Sequence, residues 1–349
     1  MEVETDRLIN QAEGVRDVKV APQRSIAVVI PCYRERKKIL EVIARIPHDV
    51  TWIICVDDGC PDRTGEFIEE QNDDPRVEVI LNTRNEGVGG ATKRGFRTAL
   101  EAGAGIIVKL DGDGQMDPAL IPRLISPIVE GHADYTKGNR FFSVENTTSM
   151  PFHRIIGNIV LSFVSKFSSG YWHVFDPNNG FTAIHSAVLR LLPMSKVSDD
   201  YFFESDMLFR LNTLRAVVVD VPMRAIYGEE DSHLKVAEAL PIFAMKHVAN
   251  FGKRIFYSHF LRSFSVASIQ WILGPSSFVF GTYFGLYNWF ASGATDTAAT
   301  AGTVMLAALP IIIGLQFTLA AIDFDIRNVP SVPLQRLLSN SLIEPDQSI

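Results

Sequence analysis

Two carboxylates one residue apart, Asp111 and Asp113, followed two positions on by Gln115, are the side chains whose types and spacing best suit chemistry in this chain. Hard oxygen donors in this arrangement suit a small divalent cation, magnesium or manganese, which takes much of its shell from phosphate oxygens. A cation held by Asp111, Asp113 and Gln115 would therefore hold a diphosphate in turn. Gly112 and Gly114 lie between them and let the backbone turn tightly enough for the three side chains to converge. The same spacing also occurs in plain solvated turns, so its meaning rests on the elements that deliver it.

Those elements read as strands. Ile106-Ile107-Val108 leads into Asp111, Trp52-Ile53-Ile54-Cys55-Val56 leads into Asp57-Asp58, and Ser25 to Ile30 leads into Pro31-Cys32-Tyr33-Arg34-Glu35. In an open parallel sheet the carboxyl ends of strands line the ligand crevice, which would bring Asp57, Asp58, Asp111 and Asp113 to one site. Tyr33 is suited to stack on a base and Glu35 to accept from a ribose hydroxyl; the plainer alternative is that Pro31 ends the strand and Tyr33 covers the sheet edge. From Ser25 to about Asp117, β-branched runs alternate with helical segments, the pattern of a parallel α/β sheet. Val77–Leu81 and Ala216–Val221 add strands, and Gly95–Ala104 and Arg154–Leu161 add helices.

Four stretches, Val28 to Glu35, Val56 to Thr64, Asn85-Glu86-Gly87-Val88-Gly89-Gly90-Ala91-Thr92-Lys93-Arg94-Gly95, and Asp111 to Gln115, occur in the order found in family 2 glycosyltransferases. Over roughly residues 25 to 235 the chain resembles the polyprenyl-phosphate glycosyltransferases, the group of dolichyl-phosphate mannose synthase and its bacterial glucosyl relatives. The resemblance implies a GT-A fold and a nucleotide-diphosphate sugar donor, UDP- or GDP-linked. Pro31, Tyr33, Glu35, Asp57, Asp58, Asn85, Gly87, Lys93, Asp111 and Gly112 would bind that donor. Lys93 or Arg94 would meet phosphate oxygens, and the glycine-rich loop would let the backbone approach. It also implies Mg2+ or Mn2+ on Asp111, Asp113 and Gln115, screening the leaving diphosphate as a Lewis acid.

On the acceptor side, His153-Arg154, Asn158 one helical turn later, and Asp176 to Phe181 fall where the lipid-phosphate group has an arginine and an Asp-x-x-x-Gly-Phe segment. Arg154, Arg140 and Asn158 would hold an acceptor phosphate. A phosphate monoester is largely dianionic at neutral pH and needs no strong base, whereas a hydroxyl acceptor would need Glu204 or Asp206. The Gln-x-x-Arg-Trp sequence of polysaccharide-building relatives is absent, which favours lipid phosphate. Asp113, Arg154 and Asp206 are the expected catalytic residues, and Tyr227 to Leu234 an acidic loop over the site. Two other readings stay open: transfer to a hydroxyl of a glycolipid or glycan, and a non-catalytic nucleotide-sugar-binding membrane subunit.

The 349 residues are 47% apolar, enough for one soluble domain and something more. A net charge of −7, spread along the chain with no basic stripe, argues against a nucleic-acid partner. Three cysteines without metal-ligand spacing fit a reducing compartment. Val266–Phe290 and Ala301–Ile322 contain no charged residue, and each is long enough for about 30 Å of hydrocarbon. Lys246, Lys253, Arg254 and Arg262 precede the first run and Arg327 and Arg336 follow the second, which puts both flanks in the cytoplasm. The expected organisation is thus a tail over 1–24, a GT-A catalytic domain over 25–235, amphipathic cationic juxtamembrane helices over 236–263 that lie on membrane lipid, two transmembrane helices over 264–325, and a cytoplasmic tail over 326–349. A multi-pass protein of a bacterial inner membrane fits this pattern. The Gly281 and Gly285 spacing would suit a homo-oligomer, and a chain ending near residue 263 is expected to keep its donor site.

Overall fold

The computed structural model describes residues 25–141, 152–223 and 236–340; Tyr227–Leu234 and the extreme termini lie outside them. Seven strands form one sheet: β1 (Ile26–Cys32), β2 (Trp52–Asp57), β3 (Val77–Leu81), β4 (Ile106–Lys109), β5 (Tyr135–Asn139), β6 (Thr182–His185) and β7 (Val218–Pro222), in the order β3-β2-β1-β4-β6-β5-β7. Strands β3, β2, β1 and β4 run parallel, as the alternating pattern predicts. The expected parallel sheet is nevertheless mixed, because β6 runs antiparallel to β4 on one side and β5 on the other.

Both faces of the sheet are covered, which is why β1, β2 and β4 read as continuous apolar runs. On one face Val28, Ile30, Ile53, Cys55, Ile106 and Val108 pack with α1 (Ile39–Ala44) and α4 (Ile121–Val129). On the other, Ala27, Val29, Ile54, Val56 and Ile107 pack with α3 (Val88–Glu101) and α7 (Phe203–Leu214). Helices α2 (Thr64–Gln71), α5 (Phe152–Ser169) and α6 (Ser186–Leu191) complete the domain. Strand β1 continues through Pro31, which pairs with Val56 on β2; β4 has by then ended its pairing at Val29, so the missing N–H falls on an unpaired side.

The glycine-rich segment departs from the loop expected of it, since only Asn85–Gly87 precede the helix and α3 begins at Val88. A side chain on Gly95 would overlap Val29 Cγ1, so this glycine lets α3 seat on the sheet. Strands β5 and β6 are invisible to hydropathy. Tyr-Thr-Lys-Gly-Asn is polar yet buried at every position, and β6 has only four residues.

After the sheet come α8 (Val236–Phe256), a π-helical turn (Tyr257–Arg262), α9 (Val266–Thr295), α10 (Ala301–Arg327) and α11 (Leu334–Asn340). Helices α9 and α10 form an antiparallel hairpin in which side chains on Gly274 and Gly281 would meet, respectively, Thr318 and the backbone and side chain of Ala307 and Ile311 within 3 Å. Gly281 and Gly285 thus face α10 of the same chain. Among the described residues one helix, α10, is both long enough and apolar enough to cross a membrane. Val279, Trp289 and Phe290 of α9 are exposed.

The segment expected to be a free cytoplasmic tail returns to the catalytic domain through residue 340. The buried Asp134 carboxylate, at the foot of β5, accepts from the backbone N–H groups of Leu334, Gln335 and Val217, each at 2.8 Å. A second buried junction joins the hairpin to the domain. Arg254 of α8 donates through Nη1 and Nη2 to the two Asp325 oxygens at 2.7 and 2.9 Å and through Nη2 to the Phe167 carbonyl of α5 at 2.8 Å. Trp172 Nε1 donates to Asp325 Oδ2 at 2.9 Å, and His259 lies 3.3 Å from Oδ1. A chain ended near residue 263 would lose these partners and leave Arg254 and Asp134 incompletely satisfied, so the hairpin and the segment through α11 belong to the fold of the domain.

Asp325→Ala should destabilise the detergent-solubilised protein by about 3–5 kcal/mol, the cost of a buried charge deprived of its partner. The pair Arg254→Met with Asp325→Leu should be less harmful than the sum of the single changes. Simple additivity in chemical denaturation would show that the two residues are not energetically coupled.

Candidate active site

Parallel strands β1, β2 and β4 end on one edge of the sheet, and antiparallel β6 begins there, opposite Lys109 at Thr182. The loops carrying Tyr33–Glu35, Asp57–Asp58, Asp111–Gln115 and Asp176–Phe181 therefore share that edge. A side chain on Gly112 would come within 3.2 Å of the Glu35 Cγ, which sets the exit of β1 against that of β4. Tyr33 is exposed, with the Arg34 guanidinium 5.5 Å from its ring centre.

The first pair of carboxylates is occupied in organising loops. Asp57 accepts from the backbone N–H of Cys60 at 2.7 Å and of Gly65 at 2.6 Å, so it folds its own loop onto the start of α2. Asp58 accepts from Asn82 Nδ2 at 2.9 Å and from the backbone N–H of Glu86 and Gly87, both at 2.8 Å. Asp57 and Asp58, expected to hold the nucleoside, also hold the walls of the crevice. Asn85 Oδ1 likewise accepts from the Gly87 N–H at 3.0 Å.

Lys93 donates to the Val197 carbonyl at 3.0 Å and pairs with Asp199, whose carbonyl accepts from Gly89 and Gly90 at 2.8 and 3.1 Å. Arg94 donates to Leu81 O and Asn82 Oδ1. The Gly89 and Gly90 N–H groups and both cations, expected to meet phosphate oxygens, thus have protein partners here.

Asp113 and Asp111 differ in their surroundings. Asp113 Oδ1 accepts from the Gln115 N–H at 2.9 Å and closes the turn, with Gly114 at φ +73. Asp111 Oδ1 lies 2.6 Å from the ammonium of Lys109, the last residue of β4, which also sits 3.0 Å from Glu204 Oε1 at the start of α7. A side chain on Gly180 would overlap Asp111 Oδ2, so only glycine fits beside this cluster. Among the described residues no three His, Cys, Asp or Glu side chains form a metal-binding group. Two carboxylates and one amide suit a hard cation that draws its other ligands from a substrate phosphate.

The carboxylate of Asp206, expected to be catalytic, accepts from Ser198 N at 3.0 Å, Asn250 Nδ2 at 3.1 Å and Arg210 Nη2 at 3.1 Å. Arg140 forks onto the buried Asp176, Nε to Oδ2 at 2.8 Å and Nη2 to Oδ1 at 3.0 Å. Arg154 and Asn158 ride on α5, and their side chains lie outside the described residues.

Lys109 and Lys137 escaped the sequence reading. Both sit opposite Thr182, so the three form one row across β4, β6 and β5. The available signal was a lysine closing an apolar strand two residues before Asp111. Burial disfavours the Lys109 ammonium, but Asp111 and Glu204 outweigh it and hold Lys109 protonated above its ordinary range. Lys137 donates to the Asn179 carbonyl, and burial pushes it down to about 8 against the pull of Glu204, Asp176 and Asp220.

Folding thus weakens the hold of Lys137 on its proton. Its burial penalty is fully present below about pH 8 and is relieved as pH rises toward the ordinary lysine value of about 10.4. Relative to Lys137→Met, the wild-type protein should gain up to about 3 kcal/mol of unfolding free energy between about pH 7.5 and 10. A pH-independent difference in denaturant midpoints would refute this.

The sequence model described as Glycosyl transferase family 2 matches residues 27–192. The chain is 32% identical over 218 residues to a UDP-N-acetylglucosamine–dolichyl-phosphate N-acetylglucosaminyltransferase of Methanococcus voltae, covering 58% of this chain and 86% of that one. It is 31% identical over 218 residues to the polyprenol monophosphomannose synthase of Mycolicibacterium smegmatis, covering 61% and 82%. Glucosyl-3-phosphoglycerate synthase from Mycobacterium tuberculosis, solved with Mn2+, UDP-glucose and phosphoglyceric acid, has the same GT-A-like fold at 18% identity. Its TM-score is 0.50, covering 66% of this chain and 79% of that one.

Proposed function

This chain is an enzyme of glycosyl transferase family 2, and from that premise we propose that it moves a hexose-type sugar from a nucleotide-diphosphate donor to polyprenyl phosphate at a membrane surface. The observation that carries the acceptor choice is the state of the two carboxylates on the first turn of α7. Glu204 is paired with the Lys109 ammonium at 3.0 Å, and Asp206 accepts from Arg210, Asn250 and Ser198. Both are committed to fixed donors, which leaves neither suited to take a proton from a hydroxyl. A phosphate monoester, with a second pKa of about 6, already carries its nucleophilic charge. Two relatives whose names specify dolichyl phosphate and a polyprenol monophosphosugar point the same way.

In the proposed reaction an acceptor phosphate oxygen bonds to the anomeric carbon while the bond to the diphosphate oxygen breaks. The nucleoside diphosphate leaves with the electron pair, and configuration at carbon inverts. Asp113 and Gln115 would hold Mg2+ or Mn2+, with Asp111 beside them, and that ion would supply Lewis-acid screening of the leaving charge. Tyr33 and Glu35 would face the nucleoside, within walls that Asp57 and Asp58 keep in place. Arg154 and Arg140 would attract the acceptor phosphate, with Asp176 fixing the plane of the Arg140 guanidinium.

Connectivity supports two membrane spans. The carboxyl end of α10 is bolted to the domain through Asp325, and Leu334 and Gln335 dock on Asp134. A chain that leaves the domain and comes back to it crosses a bilayer an even number of times. If α10 spans, its antiparallel partner α9 spans too, with the catalytic domain on the cytoplasmic side indicated by the flanking lysines and arginines. Exposed Ile242, Met245 and Val248 on α8 and Ile159, Val160 and Phe163 on α5 would meet the lipid surface.

A panel of UDP- and GDP-sugars offered with short polyprenyl phosphates or glycolipid alcohols should yield product with the phosphates only. Glycolipid turnover at equal rate would overturn the acceptor assignment. Excess chelator and Asp113→Asn should each lower turnover at least about a hundredfold. Arg154→Ala should raise the KM for phosphate acceptor more than that for donor, with Arg154→Lys restoring only part of it.

A further inference from the structure

Lys109 sits where a cation claims the same oxygen that a divalent ion would claim. Its ammonium is 2.6 Å from Asp111 Oδ1 and 3.0 Å from Glu204 Oε1, and the side chain is 1% exposed. Asp111 cannot readily swing away. It is fixed at Oδ1 by Lys109 and backed at Oδ2 by Gly180, where even a methyl group would overlap it. The ammonium is equally confined, since leaving both carboxylates would strand a buried charge. A dication entering the turn therefore meets, in Asp111, a carboxylate already paired with a buried positive charge.

We propose that Lys109 is a resident counter-ion that keeps this acidic turn from holding a divalent cation by itself, and so makes cation binding conditional on the donor's diphosphate. The inference rests on the assignment of the turn to a nucleotide-sugar donor. A diphosphate brings several negative charges and non-bridging oxygens, which offset the repulsion between the ammonium and the dication. Glu204 gives the ammonium a second partner, so its weight shifts from Asp111 toward Glu204 once the ion engages Asp111. Lys109 is a positioning residue in this scheme and touches neither substrate. Its effect is to bind cation and donor as a unit, so that the turn is not filled by a cation in advance of the nucleotide sugar.

The test measures Mn2+ binding to the full-length protein in detergent by electron paramagnetic resonance, with and without UDP or GDP, after subtracting Mn2+ held by free nucleotide. In the wild type, nucleoside diphosphate should tighten Mn2+ binding by a factor within about 5–150, the usual range of coupling between sites. Lys109→Met with Glu204→Gln removes opposite charges together and keeps the buried site balanced. That double variant should bind Mn2+ alone about tenfold more tightly than the wild type, and the nucleotide effect should shrink by the same factor. Glu204→Gln alone gives the ammonium wholly to Asp111 and should weaken binding of Mn2+ alone several-fold. General loss of structure would not move the two variants in opposite directions. If Mn2+ alone binds no more tightly to the double variant, or no more weakly to Glu204→Gln, Lys109 is a structural counter-ion only and the proposal falls. If the wild type shows no nucleotide effect on Mn2+ at all, or Asp113→Asn leaves Mn2+ binding intact, the donor-site assignment itself fails, whatever the Lys109 variants do.

Discussion

A charge removed from water must be paired, and the architecture of this protein depends on where its buried charges find partners. Lys109 joins β4 to α7 and to the turn after β4; Asp134 joins β5 to the chain beyond α10; Arg254 and Asp325 join α8, α10 and the end of α5. Each connects segments far apart in sequence. Breaking a buried pair by removing one partner typically costs about 3–5 kcal/mol, against a total stability of about 5–15 kcal/mol for a domain. These few contacts therefore decide whether the C-terminal helices and the sheet form one body.

The same constraint divides labour at the sheet edge. Four acidic residues gather at the exits of β2 and β4, but two of them, Asp57 and Asp58, spend their oxygens on backbone N–H groups of their own and neighbouring loops. A carboxylate that accepts charge-assisted hydrogen bonds from several amides is a good anchor for a loop. At the turn after β4, Gly180 clears the space that Asp111 and Lys109 fill, and Gly112 lies against Glu35.

Coupling between the hairpin and the catalytic domain bears on the acceptor. Helix α5 carries Arg154 near one end, while near the other the Phe167 carbonyl accepts from Arg254, which is itself held by Asp325 of α10. The pose of the helix that would meet a lipid phosphate is thus tied to the helix long and apolar enough to cross a bilayer. A site tethered in this way would see a membrane-bound substrate at high effective concentration. The rigid junction adds a fixed orientation to that advantage.

The parallel half of the sheet, the acidic turn at Asp111–Gln115, the family and the two long charge-free runs were all legible in the amino-acid sequence, because each is written in local pattern: apolar runs, glycine spacing, and runs without charge. That β5 and β6 are strands, and that β6 runs antiparallel, emerged only from the folded chain. Lys137, Thr136 and Asn139 are polar by sequence and buried only because β6, β7 and the Asp176–Gly180 segment supply their surroundings. Folding likewise decided which distant groups each acid meets: Asp58 meets Asn82, Glu86 and Gly87, and Asp111 meets Lys109. The Lys93 ammonium meets Val197 and Asp199, about a hundred residues on. A residue type fixes what a side chain can donate or accept; which partner it meets depends on how the chain brings distant segments together.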